Sequence, residues 1–222
     1  MAEPRDEEPV PLESATERTQ PVANSLWASL AGLVRRKGHR RILFTSVERH
    51  AGTSVVAAQS VVGLVKNTRT TAAMLEVDLA SPNLAAYLGI DPAPGLTELL
   101  DGKASLEEVK RSVAGCTGLS VLVGGTPRVP IPGEFATDAV GRHVEALANE
   151  NECLFIDAPP ILTHPETRLM LEYVDGVILV LRARATLKRQ VREVERLLDD
   201  MSVPVLGSIL NRYRSDMPFG LE

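Results

Sequence analysis

The sequence of 222 residues holds two cysteines, four histidines and one tryptophan, and only 4% of it is aromatic. Cys116 and Cys153 lie far apart and make neither a CxxC pair nor a disulfide framework, so buried thiols in a reducing compartment are expected. His39, His50, His143 and His164 show no ligand spacing to one another or to the cysteines, which removes the case for a zinc site. No apolar run approaches the roughly 20 residues that a bilayer-spanning helix needs. The opening MAEPRDEEPVP is acidic where a signal peptide would be basic. The expected location is therefore cytoplasmic, with membrane contact only indirect. A basic excess is missing too: 24 Lys and Arg stand against 29 Asp and Glu, a net charge of -5, which leaves no footprint for nucleic acid.

What is present is enough apolar sequence, 44%, for one large globular domain. Residues 1–21 carry Pro4, Pro9, Pro11 and Pro21 with six acids against two arginines, have little to bury, and are expected to be a disordered acidic tail. A domain over 22–211 and a short tail over 212–222 follow. The stretch Val22 to Val34 places Leu26, Trp27, Leu30, Leu33 and Val34 at helical spacing, and its tryptophan is expected to pack on its own domain. Thereafter short β-branched runs alternate with amphipathic stretches. Strands are read in RILFTS, TTAAMLEVD, LSVLVGG, ECLFID, DGVILVLRA and VPVLGSILN. Helices are read over Ser54–Lys66, Gly133–Asn149 and Leu187–Met201, with short turns around Asn83–Leu88, Leu96–Leu100 and Leu106–Val109. Strands separated by helices of this length require crossovers. The fold class expected is α/β, a single doubly wound, mostly parallel sheet with helices on both faces.

In such a sheet ligands lie beyond the carboxyl ends of the strands. After the first strand comes TSVERHAGTS, the frame of a phosphate-binding P-loop, in which backbone N–H groups and a helix N-terminus cradle an anion. The motif G-x-x-x-x-G-K-[ST] is met by Val47, Gly52, Thr53 and Ser54, so the second glycine and the hydroxyl are kept while the first glycine and the lysine are not. Glu76 and Asp78 end the next strand, two residues apart and so on one side of the pleat, where they would hold metal-bound water or orient a nucleophile. Asp157 ends LFID and is followed by Ala158-Pro159-Pro160, the place of a carboxylate that orders a water on Mg²⁺.

Together these segments resemble the cytoplasmic domain of bacterial tyrosine autokinases (BY-kinases) of the capsular and exopolysaccharide type, relatives of the septum-site and plasmid-partition P-loop ATPases. The resemblance runs through ILFTS, LEVDLASPNL, GLTELLDGKASLEEV, LSVLVGGTPRVPIPGEF, LFIDAPPIL, DGVILVLRARAT and VLGSILN, about residues 22–211. It implies a P-loop NTPase-like fold and Mg-ATP or Mg-ADP as cofactor. It implies Asp78 and Asp157 as catalytic carboxylates and Ser54, Asp78 and Asp157 around the metal. Gly52, Thr53, Ser54 and Asn211 fall at the nucleotide, Asn211 beside the adenine. Glu76 and Glu166 stand where the family has aspartates. The implied partner is a transmembrane polysaccharide co-polymerase or export protein, with a homo-oligomer as a further association.

The departures lie at the loop. Thr53 takes the place of the phosphate-binding lysine, His50 that of a loop glycine, and Glu48 the place where partition ATPases carry a second lysine. A unit charge lost at about 4 Å from a phosphate, at an effective dielectric of about 20, forfeits on the order of 4 kcal/mol, or roughly a thousandfold. Glu48 would add repulsion if it faced the same site, and His50 would place a Cβ where the backbone needs positive φ. Arg49 is expected to be solvated. The family's tyrosine-rich C-terminal cluster is reduced here to Tyr213, and the first helix lacks the family's charged ring-forming motif. The expectation is a BY-kinase-like domain impaired in phosphoryl transfer, with an active tyrosine autokinase or ATPase as the alternative.

Overall fold

The computed structural model describes residues 20–212; the acidic tail up to residue 19 and Tyr213 lie outside them. Seven strands form one sheet in the order β3-β4-β2-β5-β1-β6-β7. Six are parallel: β1 (Arg41–Ser46), β2 (Ala72–Glu76), β4 (Leu119–Leu122), β5 (Cys153–Asp157), β6 (Gly176–Arg182) and β7 (Val205–Asn211). The exception is β3 (Lys110–Ser112), which runs antiparallel to β4. Sequence reading misses β3 because KRS carries no apolar alternation. It is a short, charged edge strand, and such edges resist pairing with other chains.

The continuous apolar runs of the central strands follow from burial on both faces. In β1, Leu43 enters one core and its neighbours Ile42 and Phe44 the other. The first core is closed by α7 (Asp138–Glu150) through Val140, Val144 and Leu147, and by α9 (Lys188–Asp200) through Val194 and Leu198. The second is closed by α1 (Gln20–Lys37), α2 (Thr53–Thr68) and α3 (Leu84–Leu88). As expected, Trp27 of α1 packs on its own domain. It lies against Gly63 of α2, where an added Cβ would sit 3.0 Å from the tryptophan Cβ.

The short helices α4 (Leu96–Leu100) and α5 (Leu106–Val109) fall where the sequence places them. The single helix read over 133–149 is instead two, α6 (Pro132–Phe135) and α7. Thr137 is extended between them and its hydroxyl donates to the Glu134 carbonyl, while the buried Phe135 anchors α6 in the core. After β5 the chain forms α8 (Pro165–Leu169) and a 3-10 turn, Met170–Tyr173. Among the described residues no helix is long and apolar enough to cross a membrane, and both cysteines are buried and free.

Candidate functional site

The chain leaves β1 through α2 toward β2 on one side of the sheet and leaves β5 toward β6 on the other, so the strand order reverses at the β1–β5 boundary. A crevice at the carboxyl ends is expected there, and the two segments flanking it are tied together. The Ala158 amide donates to the Phe44 carbonyl and the Ile161 amide to that of Ser46. Thr45 and Thr167 both donate hydroxyls to the Pro159 carbonyl, at 2.6 and 3.0 Å. The Asp157-Ala158-Pro159-Pro160 turn is thereby fixed against the end of β1.

The loop between β1 and α2 has the left-handed conformations of an anion nest. His50 has φ 64° and Gly52 φ 84°. The residue predicted to put a Cβ at a positive-φ position does so, at a cost of about 1–2 kcal/mol that histidine tolerates better than most. Gly52 has a second constraint: a Cβ there would come within 2.4 Å of the Asn211 side-chain nitrogen. Asn211 donates that amide to the Ala51 carbonyl at 2.8 Å, so the end of β7 is fastened to the loop. Thr53 opens α2 and is half-buried.

The acids divide into two kinds. Glu76 and Asp157 are register partners at the ends of β2 and β5, 1% and 2% exposed. Asp157 receives a hydrogen bond from the Ser54 side chain, while its Oδ2 is buried without a partner among the described residues. Burial, then the neighbouring Glu76, pushes its carboxyl well above the usual aspartate range. Glu76 is saturated: Oε1 accepts from the Asn83 and Leu84 amides at 2.6 and 2.8 Å, and Oε2 from Gly124 at 2.8 Å. Burial outweighs these donors and raises it to about 7.

Glu76 and Asp78, the pair expected to hold a metal-bound water or orient a nucleophile, have different surroundings. Glu76 is a structural clamp joining the ends of β2 and β4 to the start of α3. Asp78 lies beyond the strand, accepting from the Ser81 amide at 3.0 Å and facing the Arg49 guanidinium at 3.8 Å. Glu48 is engaged by a neighbour, its Oε1 accepting the Thr186 hydroxyl at 2.6 Å. Arg49 also meets His164 Nε2 at 2.8 Å, a contact that histidine spacing alone gave no means to find. Glu166 is buried in the first turn of α8.

These residues can be tested against Mg²⁺ and a nucleotide. The partnerless Asp157 oxygen beside Ser54 fits a cation, and the left-handed loop with the α2 amides fits phosphate. Residue 53 does not fit, since a threonine brings no charge to the anion. Mg²⁺, when bound, would neutralise phosphate charge and order water; Ser54 and Asp157 would hold it.

Sheet order, loop and paired acids define a doubly wound domain of the P-loop NTPase type. Within that class the chain is similar to bacterial tyrosine kinases. It is 33% identical over 141 residues to the tyrosine-protein kinase ptk of Acinetobacter johnsonii, covering 62% of this chain and 19% of that protein. It is 25% identical over 178 residues to the putative tyrosine-protein kinase CapB of Staphylococcus aureus, covering 80% of this chain and 77% of the relative. Thus the chain matches about a fifth of the first protein's length and three quarters of the second's. The VpsO kinase domain superposes with a TM-score of 0.79 at 25% identity, over 89% of this chain and 98% of that one. The septum site-determining protein MinD of Pyrococcus horikoshii, solved with Mg-ADP, shares the fold at a TM-score of 0.67 and 22% identity, over 80% and 72%. No family model matches the chain.

Proposed function

We propose that this chain is a BY-kinase-like module of capsule or exopolysaccharide biosynthesis or export whose phosphoryl transfer is impaired, and that it acts by association. The observation that carries the reading is Thr53 at the first residue of α2, where the phosphates require a cation. The rest of the domain is indifferent to this loss, because its stability comes from two buried cores and not from the loop. In this reading the module is cytoplasmic and works through a transmembrane polysaccharide co-polymerase or export protein, with self-association as a second mode. Ser54 and Asp157 hold the metal side and Asp78 lies just outside them. Gly52 and Thr53 line the phosphate side, and Asn211, seated on Gly52, flanks the base.

The test is transfer itself. Incubation with Mg·ATP labelled on the terminal phosphate should leave the natural protein with little phosphotyrosine, on itself or on an added tyrosine-containing partner. Thr53→Lys should raise the rate. Equal labelling of the two proteins would replace the impaired module by an active tyrosine autokinase, the outcome that the retained Ser54–Asp157 pair would then explain.

A further inference from the structure

The loop that lacks a lysine carries a different cation. Arg49 stands three residues before Gly52, its side chain 43% exposed. One guanidinium nitrogen lies 3.8 Å from Asp78 Oδ2, beyond the end of β2, and another 2.8 Å from His164 Nε2, beyond the end of β5. The side chain therefore reaches from the phosphate loop over the two strand ends that carry the acids. Neither hold is bidentate. The contact with Asp78 exceeds hydrogen-bond length and is partly solvated, which makes it a weak pair. The contact with His164 is a single hydrogen bond to a ring whose Nδ1 lies 2.8 Å from the Thr163 hydroxyl and 3.0 Å from the Pro160 carbonyl. Glu48, the neighbouring acid that would compete for the guanidinium, is already held by Thr186.

We propose that Arg49 is the phosphate-binding cation of this chain. It exchanges Asp78 and His164 for the outer phosphate of a nucleoside di- or triphosphate seated on the loop. A guanidinium presents two parallel donors to phosphate oxygens, a stronger arrangement than either contact it gives up. Binding is thus retained while residue 53, at the start of α2, still supplies no charge for transfer. The inference rests on the reading of this crevice as a nucleotide site and adds to it the residue that holds the ligand.

Calorimetry of the full chain with Mg·ADP separates the two. The natural protein should bind, Arg49→Ala should weaken binding tenfold or more, and Arg49→Lys should fall between. Adding Thr53→Lys to Arg49→Ala should recover the affinity, and adenosine alone should bind the natural and Arg49→Ala proteins equally. Matching melting temperatures would establish that the variants are folded. Equal Mg·ADP affinity of the natural and Arg49→Ala proteins would overturn the assignment. Tighter binding by Arg49→Ala would also overturn it, and would make the arginine a plug. Failure of the natural chain to bind where Thr53→Lys binds overturns Arg49 alone, whereas failure of both removes the nucleotide site. Tyrosine labelling by the natural protein at the Thr53→Lys rate would end the impaired reading and leave Arg49 standing.

Discussion

The two halves of the crevice are held in different ways. On the strand-end side, Asp157 and Ser54 lie together with an unpaired buried oxygen between the sheet and α2. On the loop side the backbone shape persists, with left-handed residues 50 and 52, but the charge at residue 53 does not. Shape at the loop is enforced from outside, by Asn211 against Gly52 and Ala51. A side-chain charge has no such enforcement. The shape of the loop therefore does not depend on the charge of the residue that opens α2.

The largest effect should come from making the halves equal again. Restoring about 4 kcal/mol of interaction with Thr53→Lys should raise tyrosine labelling on the order of a thousandfold. Asp157→Asn in the same protein should cancel the gain. A labelling assay with both variants reads this directly. A gain that survives Asp157→Asn would mean that the strand-end side does not take part.

Next in size is a pH dependence confined to the strand ends. Glu76 rises from its usual 4.5 to about 7 because burial disfavours its charged form. Its proton is held more tightly in the folded chain, so its contribution to stability is complete below pH 4.5 and is lost as pH rises toward 7. At about 1.4 kcal/mol per tenfold in proton affinity, the loss is on the order of 3 kcal/mol. Urea midpoints between pH 5 and 7.5 should fall for the natural protein and fall less steeply for Glu76→Gln, the remaining slope belonging to Asp157. Glu98 and Glu108 are shifted the opposite way, chiefly by hydrogen bonds from Thr126, Gly95 and Ser105. Their contribution is lost only on acidification, below the window that tests Glu76. A midpoint that rises with pH across that window would contradict the assignment.

A smaller effect belongs to Asp157. Its carboxyl is also raised, by burial and by Glu76, so keeping it ionised at neutral pH costs stability in the absence of a cation. Asp157→Asn should stabilise the folded protein at pH 8 and have little effect at pH 2, where the acid is neutral in both folded and unfolded chains. Denaturation at the two pH values checks the difference, and equal destabilisation at both would remove the argument.

Much of this was legible in the sequence. RILFTS, ECLFID and DGVILVLRA are apolar across both faces, which predicts a covered parallel sheet, and Gly52, Ser54 and Asp157 follow strands where ligands bind. The loop's positive φ at residue 50 could be anticipated because the resemblance puts a glycine there. What sequence could not supply was orientation. Glu48 turns to Thr186, 138 residues away in the chain, and Arg49 reaches His164 across 115 residues. No spacing rule connects such pairs. Nor does alternation along β2 reveal that the strand ends at Glu76, which separates its role from that of Asp78. The edge strand β3 was hidden for the opposite reason, being too short and too polar to show a period.

The smallest effect distinguishes shape from charge within the loop. His50 holds φ 64° with a Cβ, at a cost of about 1–2 kcal/mol. Glycine would remove that strain but add about 0.5–1 kcal/mol of unfolded-chain entropy. His50→Gly should therefore change stability by less than about 1 kcal/mol, toward stabilisation, as read from a shift in denaturation midpoint. Because the left-handed backbone is already formed with histidine, the same substitution should leave Mg·ADP affinity within twofold, whereas Thr53→Lys should not. If His50→Gly tightened nucleotide binding as much as the lysine did, the deficit at this loop would be one of shape. The division between an intact cradle and a missing charge would then have to be redrawn.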